Sequence, residues 1–233
     1  MHRIRAITLD LDDTLWEIGP VIRRAEAELW QWLTQNYPRI PQRVTPDELS
    51  GIRTRVAEEH PDKCHDFRFL RKQSLARVAL IAGYSADLVE PAFDVFDAAR
   101  NQVEFFPDVL PVLKALTSHY RLIALTNGNA SLQRIGVRHL FHDVVTAVEA
   151  GAAKPARPIF EEAIRRAGVS RQQILHVGDH PENDVEGARS AGLRSVWMNR
   201  NGSAWPEQLS QPDAIVTSMS ELHDLLRAAR ADD

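Results

Sequence analysis

Apolar positions change their period twice along the chain. Ile4 to Leu9 is a short β-favouring run, closed by the acidic string Asp10-Leu11-Asp12-Asp13. A strand that ends in carboxylates suits an α/β sheet, which gathers its ligands at strand C-termini. From Pro20 the spacing becomes three to four. Ile22, Ala25, Leu29, Trp32 and Leu33 share one helical stripe, and Pro38 follows its end. Thr45-Pro46-Asp47-Glu48 reads as a capping box with proline in the first turn, opening a second helix towards Glu59. A third helix is predicted from Asp66 to Ala82, with Phe67, Leu70, Leu75, Val78 and Ile81 to pack and Gly83 to stop it. A fourth runs from Ser85 to Gln102. Residues 17–104 therefore read as all-helical.

After Pro107 strands return. A helix over Asp108 to Ser118 precedes a buried-strand run from Arg121 to Thr126, which ends in Asn127-Gly128. After a short helix, a strand is predicted at Val144–Ala147, a helix at Pro158–Ala167 stopped by Gly168, and a strand at Ile174–Val177 ending in Gly178-Asp179. Helix 183–191, strand Arg194–Met198, strand Ala214–Val216 and a helix N-capped by Ser220 complete the chain. Alternating strands and helices imply right-handed βαβ units and a parallel sheet covered on both faces. The expected fold class is α/β, a doubly wound parallel sheet formed by 1–16 and 105–233, with an all-helical domain inserted at 17–104.

Composition narrows the function classes. The 233 residues are 44% apolar and 26% charged, enough to bury a core. Lys and Arg total 28 against 32 Asp and Glu, a formal net charge of −4, so the basic surplus of a nucleic-acid binder is missing. The lone Cys64 excludes an internal disulfide framework or a Cys-rich zinc module. No apolar run approaches the roughly 20 residues a membrane span needs. The N-terminal residues lack the apolar stretch of a secretory signal. These features lead to the expectation of a soluble cytoplasmic protein, monomer or homodimer, that binds neither nucleic acid nor membrane.

The polar residues at strand ends carry the chemistry. They are Asp10 and Asp12, Thr126-Asn127-Gly128, Lys154-Pro155, and Gly178-Asp179 with Asp184. Two carboxylates about 4 Å apart repel by roughly 4 kcal/mol at an effective dielectric near 20. A cluster of four must take up protons or hold a cation. Donors that are all oxygen favour Mg²⁺ over zinc. Lys154, the Thr126 hydroxyl and main-chain N–H groups at Asn127-Gly128 would complete a cradle for a phosphoryl group. One aspartate could then attack phosphorus while the other exchanges a proton with the leaving oxygen and water.

The string Asp10-Leu11-Asp12-Asp13-Thr14-Leu15 resembles the first motif of the haloacid dehalogenase superfamily, DxDx[TV][LV]. Thr126 matches the second motif, Lys154 the third, and Gly178-Asp179 with Asp184 the fourth, GDxxxxD. The resemblance implies Asp10 as nucleophile and Asp12 as general acid and base. It also implies Mg²⁺ on Asp10, Asp179 and the Asp12 carbonyl, phosphate binding by Thr126 and Lys154, and Asp184 as an orienting group. Residues 17–104 match a type C1 cap. Members that cleave carbon–halogen bonds lack the second acid, so Asp12 points to phosphoester chemistry.

A narrower resemblance is to bacterial flavin-pathway phosphatases. It is carried by LDLDDTLW, His65-Asp66 with Arg68 and Arg71, LTNGNA (125–130) and ILHVGD (174–179). It implies FMN or 5-amino-6-(5-phospho-D-ribitylamino)uracil as substrate. Arg68 and Arg71 would then reach the leaving group from one helical face, and Trp16 would stack on a flat ring. Nucleotide or sugar-phosphate hydrolysis, a phosphomutase and a non-catalytic binding module remain alternatives. Asp13 reads as a turn residue, Trp30 and Trp32 as cap packing, His60, His65, His139 and His142 as surface or core groups, and Cys64 as an inert thiol. For His180, a loop role and a role beside the acidic cluster stay open.

Overall fold

The computed structural model describes residues 4–231, and the elements and counts below refer to those. The chain divides into two compact units. One comprises Met1–Glu17, Glu104–Gly128 and Leu132–Asp233, the other Ile18–Val103 with Asn129–Ser131.

The first unit is built on six parallel strands: β1 (Ala6–Leu9), β2 (Arg121–Thr126), β3 (Asp143–Thr146), β4 (Ile174–Gly178), β5 (Arg194–Met198) and β6 (Ala214–Val216). Their order is β3-β2-β1-β4-β5-β6, so the sheet reverses direction of growth at β1. Every residue of β1 and β4 is buried, as expected for central parallel strands. Register sets Thr8 beside His176, and Leu9 beside both Ala124 and Val177. The three chains that leave β1, β2 and β4 therefore emerge together at one edge.

Helices cover the sheet. Ile123, Leu125, Val145 and Ile174 pack against Ile159, Phe160 and Ala163 of one helix (Arg157–Ala167) and Ala188 of a short one (Gly187–Ser190). A helix at Val109–Thr117 packs on β2 and on the C-terminal helix Met219–Ala231.

The second unit is helical: α1 (Ile18–Asn36), α2 (Pro46–Glu59), α3 (Phe67–Ile81) and α4 (Val89–Arg100). Its core joins Leu29, Leu33, Ile52, Val56, Val78, Phe93 and Phe96. The capping box on α2 forms as the pattern predicts. The Thr45 N–H donates to Glu48 at 2.7 Å, and the Glu48 N–H donates to the Thr45 hydroxyl at 3.2 Å. Asp66 caps α3 in the same way, accepting from the Phe69 N–H.

Local polar groups shift several boundaries. Strand β3 stops at Thr146 because that hydroxyl accepts from the Glu149 N–H and starts a helical turn, so Ala147 is not in the strand. The last helix begins at Met219, with Ser218 rather than Ser220 accepting from the Glu221 N–H. The helix expected at 183–191 is a π-helical segment, Pro181–Glu186, followed by the short α-helix at Gly187–Ser190.

Leu29 is fully buried among these helices. Leu29→Ala should cost about 2–5 kcal/mol of stability, read from denaturant unfolding. A cost under about 0.5 kcal/mol, the usual range for surface positions, would contradict the packing described.

Candidate active site

The site is assembled where β1, β2 and β4 end. Asp10 follows β1 directly, and its N–H donates to the Val177 carbonyl at 2.9 Å, which ties it to β4. The chain then makes a tight turn. Leu15 N–H reaches the Leu11 carbonyl, Asp13 N–H reaches the Trp16 carbonyl, and Asp13 takes a φ of 61°. That left-handed backbone explains a short polar residue at position 13, since Asp tolerates it better than most. Thr14 sends its hydroxyl towards Asp10 Oδ2 at 3.3 Å and Asp179 Oδ1 at 3.5 Å.

Lys154 is the centre of the polar cluster. Its ammonium donates to Asp10 Oδ1 at 2.5 Å and to Asp184 Oδ1 at 2.6 Å, and all three side chains are buried. Asn127 holds the loop that carries it: the Lys154 N–H donates to Asn127 Oδ1 at 2.7 Å, and Asn127 Nδ2 donates to the Lys154 carbonyl at 3.0 Å. The Thr126 hydroxyl, also buried, accepts from the Gly128 N–H. Asp184 sits on the π-helical segment, whose first turn is capped by His180 Nδ1 accepting from the Glu182 and Asn183 N–H groups. Gly178 is needed beneath it, because a Cβ there would stand 2.2 Å from the Asp184 carboxyl carbon.

One carboxylate oxygen from each of Asp10, Asp179 and Asp184 can be chosen so that the three lie within 4.8 Å of one another. One ammonium cannot offset three carboxylates, and the ionisation behaviour reflects this. Burial, against which Lys154 works, together with the charges of Asp184 and Asp179 pushes the Asp10 carboxyl well above its ordinary value. Burial and the neighbouring Asp184 and Asp13 push Asp179 up to about 7. Asp184 goes the other way: burial opposes its charge, but Lys154 and a hydrogen bond from His176 hold it well below the usual carboxylate range. Lys154 is raised, the attraction of Asp10 and Asp184 outweighing its burial. A surplus of negative charge on oxygen-only donors is what a hard divalent cation neutralises, so the residues fit Mg²⁺.

The turn and loops thus bring Asp10, Thr126, Asn127, Lys154, Asp179 and Asp184 together. The Asp12 carboxyl accepts the Trp16 indole N–H at 2.8 Å, which fixes its orientation. Trp16 departs from its expected role. It is fully buried, edge-on against Phe105, and anchors Asp12 rather than offering a ring face for stacking.

Arg68 and Arg71 also differ from each other, although both lie on α3. Arg71 stacks over Phe96 and ion-pairs with Glu26 at 2.9 Å, and Arg53 pairs with the same carboxylate at 2.7 Å. Arg71 and Arg53 line a cavity of about 430 Å³ in the helical unit, with Ile22, Phe67, Leu70 and Phe96. Arg68 is exposed, lies over Phe93 and does not line that cavity.

Two groups carry no role in the sequence reading. Thr14 bridges the two acidic strand ends. His176 is fully buried with Nε2 on Asp184. The available signal was a polar ring inside the otherwise apolar run Ile174 to Val177, two positions before Gly178.

The comparisons agree with this geometry. Residues 4–192 match the haloacid dehalogenase-like hydrolase family. The chain belongs to that family. It is 32% identical to the 5-amino-6-(5-phospho-D-ribitylamino)uracil phosphatase YigB of Escherichia coli (strain K12), over 97% of this chain and 98% of that protein. A glyceraldehyde 3-phosphate phosphatase of Methanopyrus kandleri is 29% identical over 98% of this chain and all of its own length. Among solved structures, a 2-haloacid dehalogenase from Pseudomonas syringae pv. Tomato DC3000 superposes with a TM-score of 0.91 at 39% identity, covering 97% of this chain and 99% of that one.

The raised carboxyl of Asp179 has a sign that can be measured. Folded Asp179 binds its proton more tightly than the unfolded chain does, with a value about 7 against an ordinary one of about 3.9. Its contribution is therefore full below the unfolded value and is lost as pH rises towards 7. Without metal, the melting temperature should fall between pH 5 and pH 8, and Mg²⁺ should restore it most at the upper end. Asp179→Asn should flatten the slope and remove the Mg²⁺ effect. A metal-free melting temperature that rises over this window would contradict the assignment.

Proposed function

We propose that this hydrolase is a phosphomonoesterase acting on a small phosphorylated metabolite through a phospho-Asp10 intermediate. The observation that carries the reading is the buried Lys154 ammonium, 2.5 Å from Asp10, within a group of three carboxylates too many for it to neutralise. An Asp10 oxygen attacks phosphorus, the bond from phosphorus to the leaving oxygen breaks, and Asp12 gives that oxygen a proton. Water then attacks the phosphorus of phospho-Asp10, Asp12 takes the water proton, and the Asp10 carboxylate returns with release of phosphate. Lys154 and the Thr126 hydroxyl hold the phosphoryl oxygens, and Asn127 holds the loop on which Lys154 is carried.

Asp10, Asp179 and the Asp12 carbonyl are the groups that would hold Mg²⁺, with Asp184 orienting Lys154 beside them. Bound there, the ion offsets charge on the transferring phosphoryl group. Dehalogenation is disfavoured by the same residues, because a departing halide needs no proton and Asp12 would be idle.

For the finer substrate we propose FMN or 5-amino-6-(5-phospho-D-ribitylamino)uracil. Similarity to the Escherichia coli phosphatase supports this, and so does the cavity in the helical unit. Its walls are largely apolar and aromatic, while Arg53 and Arg71 supply donors for ring carbonyls. Asn129, three positions beyond Thr126 in the chain, also lines it. The helical insertion at 17–104 acts as the cap that reads the leaving group, and the enzyme works in the cytoplasm as a monomer or homodimer.

Phosphate release with Mg²⁺ should be measured on FMN, the ribitylamino-uracil phosphate, pyrimidine nucleotides and sugar phosphates, alongside halide release from 2-haloacids. Asp10→Asn should abolish turnover and leave the fold intact. Asp12→Asn should slow alkyl esters far more than an activated aryl phosphate, whose leaving group needs no proton. Arg71→Ala should raise KM for FMN and leave small sugar phosphates little changed. Halide release in place of phosphate release, or full activity of Asp10→Asn, would overturn the phosphatase reading. A flat substrate profile would withdraw only the flavin-type substrate.

A further inference from the structure

We propose that His176 is a positioning residue: held as its Nε2–H tautomer by the Thr8 hydroxyl, it aims the Asp184 carboxylate at Lys154 and so sets where the lysine presents its charge. The inference rests on the phosphatase reading for its effect on turnover, whereas the tautomer itself is independent of that reading.

The donor order follows from the partners. His176 Nε2 stands 3.0 Å from Asp184 Oδ1, and its Nδ1 stands 2.8 Å from the Thr8 hydroxyl. Asp184 is ionised and has only acceptors, so Nε2 must carry the proton. Burial favours a neutral ring, which leaves Nδ1 bare to accept from Thr8. Thr8 and His176 are register partners on adjacent central strands, so the chain of donors is built into the sheet. Phe160 packs edge-on against the imidazole with ring centres 5.4 Å apart and holds its plane.

With this bond in place Asp184 is fully engaged. Oδ1 accepts from His176 and Lys154, and Oδ2 accepts from the His180 N–H at 2.9 Å. Donors on both oxygens, from β4, from the lysine loop and from the π-helical segment, leave the carboxylate one orientation. Lys154 is then placed between Asp184 and Asp10 by fixed acceptors on both sides. Removing the His176 donor would leave Asp184 Oδ1 held by Lys154 alone, so the carboxylate would no longer fix the lysine from an independent anchor in β4.

The test uses the full chain labelled with ¹⁵N. Histidine ring spectra should show His176 protonated at Nε2 and bare at Nδ1 at neutral pH. His176→Leu should lower kcat/KM for phosphomonoesters by about 10–100-fold, the range seen when a group supporting a metal or catalytic ligand is removed. His176→Gln, which can offer an amide N–H near the Nε2 position, should recover most of that loss. Near-isosteric Thr8→Val removes the donor to Nδ1 and loosens the ring, and it should lower kcat/KM in the same direction as His176→Leu.

A His176 ring protonated at Nδ1 would overturn the proposal. So would wild-type kcat/KM in His176→Leu, or equal losses in the Leu and Gln variants. If His176→Leu does not fold, the spectrum and Thr8→Val decide. A wild-type chain that releases no phosphate from any ester would sink the phosphatase reading, and the spectrum would still report on the His176 tautomer.

Discussion

The contact on which the rest of the site depends is the buried Lys154 ammonium shared between Asp10 and Asp184. Buried ions are costly, and one partner left alone costs several kcal/mol. The surroundings of this trio therefore have to be built to match it. Asn127 clamps the lysine's main chain, His176 and the His180 N–H complete Asp184, and Thr14 reaches both Asp10 and Asp179. Asn127 and His180 lie just past strand ends, Thr14 lies in the turn after β1, and His176 lies inside β4, where register with β1 leaves little freedom.

The same trio explains why the site invites ligands. Lys154 is shared between Asp10 and Asp184, and Asp179 adds a third carboxylate beside them. The carboxyls of Asp10 and Asp179 are pushed up accordingly. A folded chain that cannot easily ionise its own carboxylates gains by accepting a cation beside them. Function and strain are here the same feature: the charge imbalance that costs stability is what a divalent cation would relieve.

Much of this was legible in residue order alone, for a physical reason. Parallel strands concentrate chemistry at their C-terminal ends, so Asp10, Thr126 and Asp179 could be placed from hydrophobic runs that stop at polar residues. Lys154 lies in a loop and Asp184 on the π-helical segment, and their convergence was readable only through the spacing of recognised motifs. From residue order alone, the large ring of Trp16 beside the acidic turn suggests a stacking platform. Its indole N–H had a nearer use on Asp12, and the ring filled the space beneath the turn. His176 gave little sign of its partners, because register between β1 and β4 is a long-range property. Arg68 and Arg71 share a helical face, yet Glu26 from α1 recruits only one of them, and single-helix periodicity carries no information about that.

The most direct test of the account is to quench a reaction with a phosphomonoester in acid and map the covalent phosphoryl group by mass spectrometry. The account predicts a phosphoryl mass on the peptide containing Asp10, absent in Asp10→Asn and persistent when Asp12 is replaced by Asn. A phosphoryl group on any other residue would contradict it. So would rapid turnover in which no covalent species accumulates even when Asp12 is replaced.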